Sequence, residues 1–541
     1  MGIQYLTKIY RPLGDFSNYT SLAGADVFID GPSLAHRICR DLQFYDMGDT
    51  ASATQGARRV IQAMLDGGLN IRYIVFDGAL PLDKEDTRIE RTKQSIDKLS
   101  EQPEGLIIAS FAADMFREML DEYYPAIPVI TVPYEADFAI AGMIKTYTEE
   151  AENKDKMVYV MSSDSDFYVY EMGTNVGCIC LSKSEDLALG QQIFVTQHRK
   201  SREMIQRPLW EAGYLVETTP INSRKKLNFF SLRNKVMVNK AQRESYEKFK
   251  DTFTLKEFTW TSIAAFVNDT RTTLVNDRIP SCKFTRLHEF LNRHYDNIKK
   301  EKHNIGIPKA EVYLPTLVED VTRPSVWIIG SKWRSLTYEM LIEKLEIKES
   351  SVPVTNSLII EYYRVRRGVG ATYIPIQDHS RQEGREEIDN PEHYRFITQG
   401  ELKGWIKSYH NDEGLVMTVK AIVDEIVTYN LDTQPLSETQ CNKSTTYLTS
   451  ISNENSEAVV YSDSDSDSSM MSTKAKRLRD VDWNIASLHL FAQTQAASYS
   501  LCFLQQAGVE LPHGQKIKIT TVSDSIKFSK YFLQKQCKVN R

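Results

Sequence analysis

The chain has 541 residues, 41% hydrophobic and 26% charged, with a formal net charge of −6; this is soluble globular composition with room for two to four domains. No apolar run approaches the roughly 20 residues that span a bilayer, and the N-terminal MGIQYLTK lacks a secretory pattern. Seven scattered cysteines, with Cys178 and Cys180 the one close pair, read as reduced thiols of an intracellular protein rather than a disulfide frame or a zinc site.

In chain order, residues 1–190 alternate strand and helix patterns. Strands are expected at 25–30 (ADVFID), 71–77 (IRYIVFD), 127–133 (IPVITVP) and 158–163 (VYVMSS). Each is a short apolar, β-branched run with little alternation, as in strands buried on both faces. Helical patterns at 57–65, 112–124 and 134–147 lie between them. The alternation predicts an α/β fold, a parallel sheet wrapped by helices.

Beyond residue 190 the pattern turns mainly helical. Between Arg199 and Lys302, 22 Lys and Arg stand against 12 Asp and Glu. That excess suits a polyanionic partner, although a solvated helical surface is an alternative. Residues 191–310 are therefore taken as a basic, mainly helical region facing nucleic acid, and 311–430 as a mixed accessory region. Ser, Thr, Asn and Asp dominate 431–480, with SDSDSDSS at the centre, so a linker is expected there. The run IASLHLFAQTQAASYSLCFLQQ in a final module, 481–541, suits one amphipathic helix. KAKRLR at 474–479 has the look of a nuclear import patch; the expected compartment is the nucleus, otherwise the cytoplasm.

Acids stand at the strand ends. Asp30 closes FID, Asp77 closes VFD, and Asp164 and Asp166 follow VMSS. The fourth strand leads into VPYEAD, with Glu135 and Asp137 opening a helix. In an open α/β sheet the C-terminal edge is the ligand edge. Turn chemistry or a helix dipole explains any one of these acids, but must be invoked separately at each. Six carboxylates in one cleft cannot all stay ionised without cations. Oxygen donors without His or Cys point to Mg²⁺ or Mn²⁺. Two such ions about 4 Å apart serve phosphodiester cleavage, so the pattern suggests a metal-dependent nuclease.

The blocks MGI, VFIDGPSLAHR, YIVFDGALP, PYEADF and SSDSDF resemble, in order and spacing, those of the flap-endonuclease (XPG-like) superfamily, and in wording its Asteroid branch. The resemblance covers about residues 1–190. It implies a PIN-like nuclease core and a structure-specific endonuclease acting on single-stranded or flapped DNA, with a role in repair. It also implies two Mg²⁺ or Mn²⁺ ions held by Asp30, Asp77, Glu135, Asp137, Asp164 and Asp166, with Asp137 where Glu is more usual. Lys84, Arg88 and Arg91 fall at i, i+4 and i+7 and share one helical face. The resemblance gives Lys84 and Arg91 the scissile phosphate as catalytic contacts; salt bridges to Glu85 and Glu90 are the local alternative. Gly2, His36 and Arg88 are expected to touch nucleic acid, His36 where the family often has a base-stacking aromatic.

Two departures qualify this. Where relatives carry a further metal-binding aspartate in a Gly-(Ser/Asn)-Asp motif, the sequence reads Arg233-Asn234-Lys235, so Lys235 would replace a ligand of the second ion. No glycine occurs from 214 to 305, and the family's glycine-rich grip on duplex DNA needs close backbone approach. An active nuclease on single-stranded or branched DNA is the first expectation. A catalytically weakened PIN-like nucleic-acid scaffold or RNA regulator is the second. A phosphatase on the same fold would leave the basic segment unused.

Overall fold

The computed structural model describes residues 3–253 with short breaks (chiefly 42–49, 102–109, 182–192 and 233–242), four residues between 287 and 293, residues 309–345, 358–365 and 368–375, and the helix at 485–506. The chain divides into two compact units, 1–81 with 112–274 and 82–111 with 275–541.

In the first unit the chain runs α1 (Leu6–Tyr10), β1 (Asp15–Ser17), β2 (Asp26–Asp30), α2 (Gly31–Asp41), α3 (Thr50–Asp66) and β3 (Asn70–Phe76). After α4 (Glu85–Glu101), which belongs to the second unit, it continues through α5 (Ala112–Tyr123), β4 (Val129–Thr131), α6 (Ala136–Glu149), β5 (Val158–Met161), β6 (Val176–Leu181) and β7 (Ile193–Gln197). Helices α7 (His198–Ile205), α8 (Leu209–Glu217), α9 (Ile221–Arg224) and α10 (Arg243–Phe253) follow. The sheet order is β1-β7-β6-β5-β2-β3-β4. The five strands from β6 to β4 are parallel, whereas β7 and β1 add an antiparallel edge. The chain leaves β2 toward β3 and β4, then returns to lay β5 on the other flank of β2. That reversal opens a crevice at the C-terminal ends of β2 and β5.

Every residue of β2 and β5 is buried, which accounts for their unbroken apolar runs. Alternation along β3 splits the core in two. Val75 and Phe28 join Ile140, Met143 and Ile144 of α6 in one layer. Phe76 turns to the other face, its ring 6.2 Å from that of Phe116 on α5. Gly31, first in α2, sits against Phe76, and a Cβ there would stand 2.9 Å from two ring atoms. The glycine of the IDG motif thus lets α2 start hard against β3. Behind the sheet, Tyr246, Phe249 and Phe253 of α10 interleave with Trp210 and Tyr214 of α8, and Phe253 meets Tyr170 edge-on at 5.1 Å.

The second unit centres on a sheet of β8 (Lys309–Tyr313), β9 (Leu358–Val365) and β10 (Gly368–Pro375), with β9 in the middle. β8 and β9 are parallel, and β9 and β10 form a hairpin. Helix α4 joins this unit: the Arg88 guanidinium lies 4.8 Å over the Tyr313 ring, which stacks on Tyr362 and donates its hydroxyl to Glu85. Helices α11 (Ser331–Leu345) and α12 (Ile485–Gln506) pack together. Fully buried Arg334 binds both oxygens of Glu361 and also donates to Ile329 O, Trp327 O and Ser500 Oγ of α12. A second buried pair joins Arg364 to Glu319 at 2.7 Å. Gly330 (φ 72°) takes a left-handed turn against Ser500, where a Cβ would fall 2.6 Å from the serine side chain.

The helix expected at the C-terminal module is present, but it is not amphipathic. Residues 492–497 are all buried, on every side of the helix. The reason is compositional: 485–506 contains no Asp, Glu, Lys or Arg, and a helix without a polar face is an interior helix. The linker at 431–480 and the basic patch at 474–479 lie outside the described residues.

Candidate metal centre at the sheet edge

Asp30 is the last residue of β2 and is 4% exposed. Its Oδ1 accepts from the Ser33 amide at 3.0 Å, in the first turn of α2, and its Oδ2 from the Ser162 hydroxyl at 2.7 Å. Ser162 Oγ also accepts the Asp164 amide at 2.9 Å and lies 3.1 Å from Ser33 Oγ, which accepts the Ser163 amide. The two serines therefore stitch the ends of β2 and β5 together across the crevice.

Asp77 follows β3 directly and accepts the Ala136 amide, at the start of α6, at 2.7 Å. An acceptor there satisfies a helix N-terminal donor. Glu135 occupies the N-cap position of α6 but makes no side-chain cap bond, because Asp77 already serves that end. Asp164 caps the turn Ser165–Tyr168 by accepting the Asp166 amide at 3.1 Å. Asp166 in turn accepts the Ile3 amide at 3.0 Å, while Ser165 Oγ donates to Ile3 O. The segment just after Gly2 is thus tied to the acidic turn, and Gly2 itself lies outside the described residues.

These carboxylates share one field. Burial, and then the charge of Asp77, push Asp30 up to about 7, against the pull of its bonds from Ser162 and Ser33. Asp137 is held well above the usual carboxylate range by burial and by Asp30, Asp164, Asp77 and Glu135. Tyr170 is buried beside them: burial, Asp137, Asp166, Glu135 and Asp164 all keep its phenol neutral. Asp30, Asp77, Glu135, Asp137 and Asp164 thus share one field near the C-terminal ends of β2 to β5, and Asp166 acts on Tyr170 beside them. Among the described residues no three His, Cys, Asp or Glu side chains close on one point as a finished cage. The donor set is all oxygen and over-rich in negative charge, which fits a hard divalent cation.

The other predicted residues stand elsewhere. His36 is exposed on α2. Lys84 and Arg91 are exposed and Arg88 is half-buried, all at α4 of the second unit. Lys235 lies outside the described residues. Ser33, Ser162 and Tyr170 are site residues that the motif reading passed over; the serines of DGPS and SSDSD were the available signal.

A family profile described as "XPG domain containing" matches residues 109–376, a span that holds four of the six acids. Asteroid homolog 1 of Schizosaccharomyces pombe is 24% identical over 381 residues, covering 68% of this chain and 64% of that protein; the chain thus spans a little under two thirds of that relative's length. Two solved structures are similar at low superposition. The catalytic core of Rad2 in complex with DNA substrate is 14% identical, covers 47% of this chain and 86% of that one, and has a TM-score of 0.30. Human GEN1 in complex with Holliday junction DNA is 12% identical, covers 56% and 81%, and has a TM-score of 0.30. The fold is a mainly parallel sheet wrapped by helices, with acids at its C-terminal edge. By profile and by curated relative, the chain is similar to the Asteroid and XPG-like nucleases.

Proposed function

We propose that the protein is a metal-dependent endonuclease acting on single-stranded or flapped DNA, with a role in repair. The observation that carries this is the gathering of acids from four successive parallel strand ends into one shared field. Asp30, Asp77, Glu135, Asp137, Asp164 and Asp166 would hold Mg²⁺ or Mn²⁺. Two such ions, when bound, activate water and steady the leaving oxygen of a phosphodiester. Ser33 and Ser162 keep the Asp30 carboxylate aimed along the edge, and Asp77 fixes the start of α6. Lys84 and Arg91 are proposed to contact backbone phosphates, and Arg88 and the basic residues of 199–302 to add affinity for the polyanion. The nucleus is the proposed compartment.

The test is incubation of the full chain with labelled single-stranded, 5′-flap, 3′-flap and duplex DNA, with and without Mn²⁺. Mn²⁺-dependent cutting of the unpaired or flapped strands, lost in Asp164→Ala, is expected. Salt-sensitive binding with no cutting under any metal would instead favour the nucleic-acid scaffold, the reading that Lys235 and the glycine-free 214–305 support in the sequence.

A further inference from the structure

In SDSDFYVY the chain returns to the core after its two acids, and Tyr170 is the last aromatic of that return. Its amide donates to Asp166 O at 3.3 Å, one turn back. The turn that carries Asp164 and Asp166 therefore also sets the place of this side chain. The ring packs against Phe167, with centroids 6.0 Å apart, and against Phe253 of α10. Only 6% of the residue is exposed.

A buried phenol ordinarily finds a hydrogen-bond partner. Tyr147, beside the start of β2, shows the usual outcome: its hydroxyl donates to Asp26 at 2.7 Å and accepts from Arg72 at 2.6 Å. Among the described residues the Tyr170 hydroxyl makes no such bond. It is not sealed away either. The hydroxyls of Tyr10 and Tyr19 are closed off without a partner, whereas that of Tyr170 keeps contact with solvent. After burial, the strongest influences on its phenol are the charges of Asp137, Asp166, Glu135 and Asp164, and together they keep it protonated. The oxygen end of the ring thus faces the acid edge as a neutral donor. Asp30, Asp77, Asp164 and Asp166 meanwhile take backbone amides or a serine hydroxyl. Ionised carboxylates offer acceptors only, so this phenol brings to the edge what the acids lack.

We propose that Tyr170 is a substrate-binding residue whose hydroxyl donates to a non-bridging oxygen of the phosphate held at the acid edge. The proposal rests on the nuclease reading above and adds to it a donor that carries no charge. A phosphate entering among carboxylates needs cations to offset them, and its remaining oxygens are still acceptors. Charge grows on those oxygens as a phosphodiester is cleaved. A fixed donor aimed at them therefore counts for more in the transition state than in the ground state. The packing of the ring on Phe167 and Phe253 means that little ordering is left to be done on binding.

The experiment compares the full chain with its Tyr170→Phe variant, which removes the hydroxyl and keeps the ring. Single-stranded and 5′-flap DNA are titrated in Ca²⁺, supplied in place of Mg²⁺ to limit cutting. Wild type should give a tyrosine difference spectrum in the near ultraviolet as the phenol gains its acceptor. Tyr170→Phe should lose that signal and bind the strand more weakly, and its single-turnover cutting in Mn²⁺ should fall about tenfold or more. Mn²⁺ affinity measured by calorimetry without DNA should be unchanged. With one methylphosphonate at the cut linkage, one of the two isomers should weaken wild type but leave Tyr170→Phe no weaker, the pattern of two groups that interact directly. Thermal melts run beside the titrations show that the variant is folded. Strand binding by wild type with affinity and difference spectrum intact in Tyr170→Phe overturns the role of the hydroxyl alone. A loss of Mn²⁺ affinity without DNA as large as the loss of strand binding also overturns it, since the hydroxyl then serves a carboxylate. Failure of wild type to bind any strand overturns the nuclease reading and this role with it.

Discussion

Removing one hydroxyl at the crevice should uncouple the acid edge from its support. In Ser162→Ala, Asp30 loses the 2.7 Å donor to Oδ2, and the Asp164 amide loses its acceptor at 2.9 Å. A hydrogen bond to a charged group contributes about 1.5–3 kcal/mol, and 1.36 kcal/mol corresponds to one pKa unit. Asp30, already pushed up to about 7 by burial and Asp77, should then hold its proton one to two units more tightly. A cation that needs the ionised carboxylate must displace that proton. Mn²⁺ affinity measured calorimetrically at pH 7 should accordingly fall about tenfold, and the defect should shrink at pH 9 as proton competition fades. Ser33→Ala should do less, because the backbone amide of residue 33 still donates to Oδ1. Equal affinity in wild type and Ser162→Ala at pH 7, or a loss of the same size at both pH values, would refute this account of the serine.

Gly31→Ala places a Cβ 2.9 Å from the Phe76 ring and should cost about 1–3 kcal/mol in urea unfolding by overpacking, with Phe76→Leu in the same chain restoring part of it. His198 is buried within 3.5 Å of Cys178 Sγ, and burial lowers its pKa to about 4. That lies below the ~6.5 of an unfolded histidine, so the folded state binds fewer protons between those values. Stability should fall as pH drops through that window, by up to about 3 kcal/mol, and His198→Gln should flatten the slope in urea midpoints taken at pH 7 and pH 5. Arg334→Met strands Glu361, which is fully buried, and should destabilise the second unit by about 3–5 kcal/mol. Arg334→Met combined with Glu361→Leu should recover most of that loss; no recovery would mean that the arginine acts through its bonds to Trp327 O and Ile329 O instead.

The four strands that carry the acids were legible because burial on both faces leaves a mark in composition alone. The runs at 25–30 and 158–163 became Asp26–Asp30 and Val158–Met161, and 71–77 became Asn70–Phe76, one residue short of Asp77. The six acids could be read as a set because each follows such a run. The Ser33–Ser162 contact could not: it spans 129 residues and exists only because β5 lies beside β2, a neighbour relation that no local pattern encodes. The grouping of α4 with the second unit was hidden for the same reason. Lys84, Arg88 and Arg91 read as one basic face, yet Arg88 is drawn onto Tyr313, 225 positions along the chain. At 485–506 apolar spacing alone suggests an amphipathic helix, whereas the absence of any charged residue marks an interior one.

That interior helix has a temporal consequence. Tyr499 lies against Trp327 and Phe111, and Phe503 against Tyr338, so the aromatic interior of the second unit is completed from the far side of residues 376–484. During synthesis at about 5–20 residues per second, Trp327 and Tyr338 await their cover for on the order of ten seconds after β10 has been made. The acid edge, finished by residue 253, has no such wait. A chain that stops within 376–484 would therefore keep every acid and every strand of the first unit. Its lesion would surface as aggregation or proteolysis of the second.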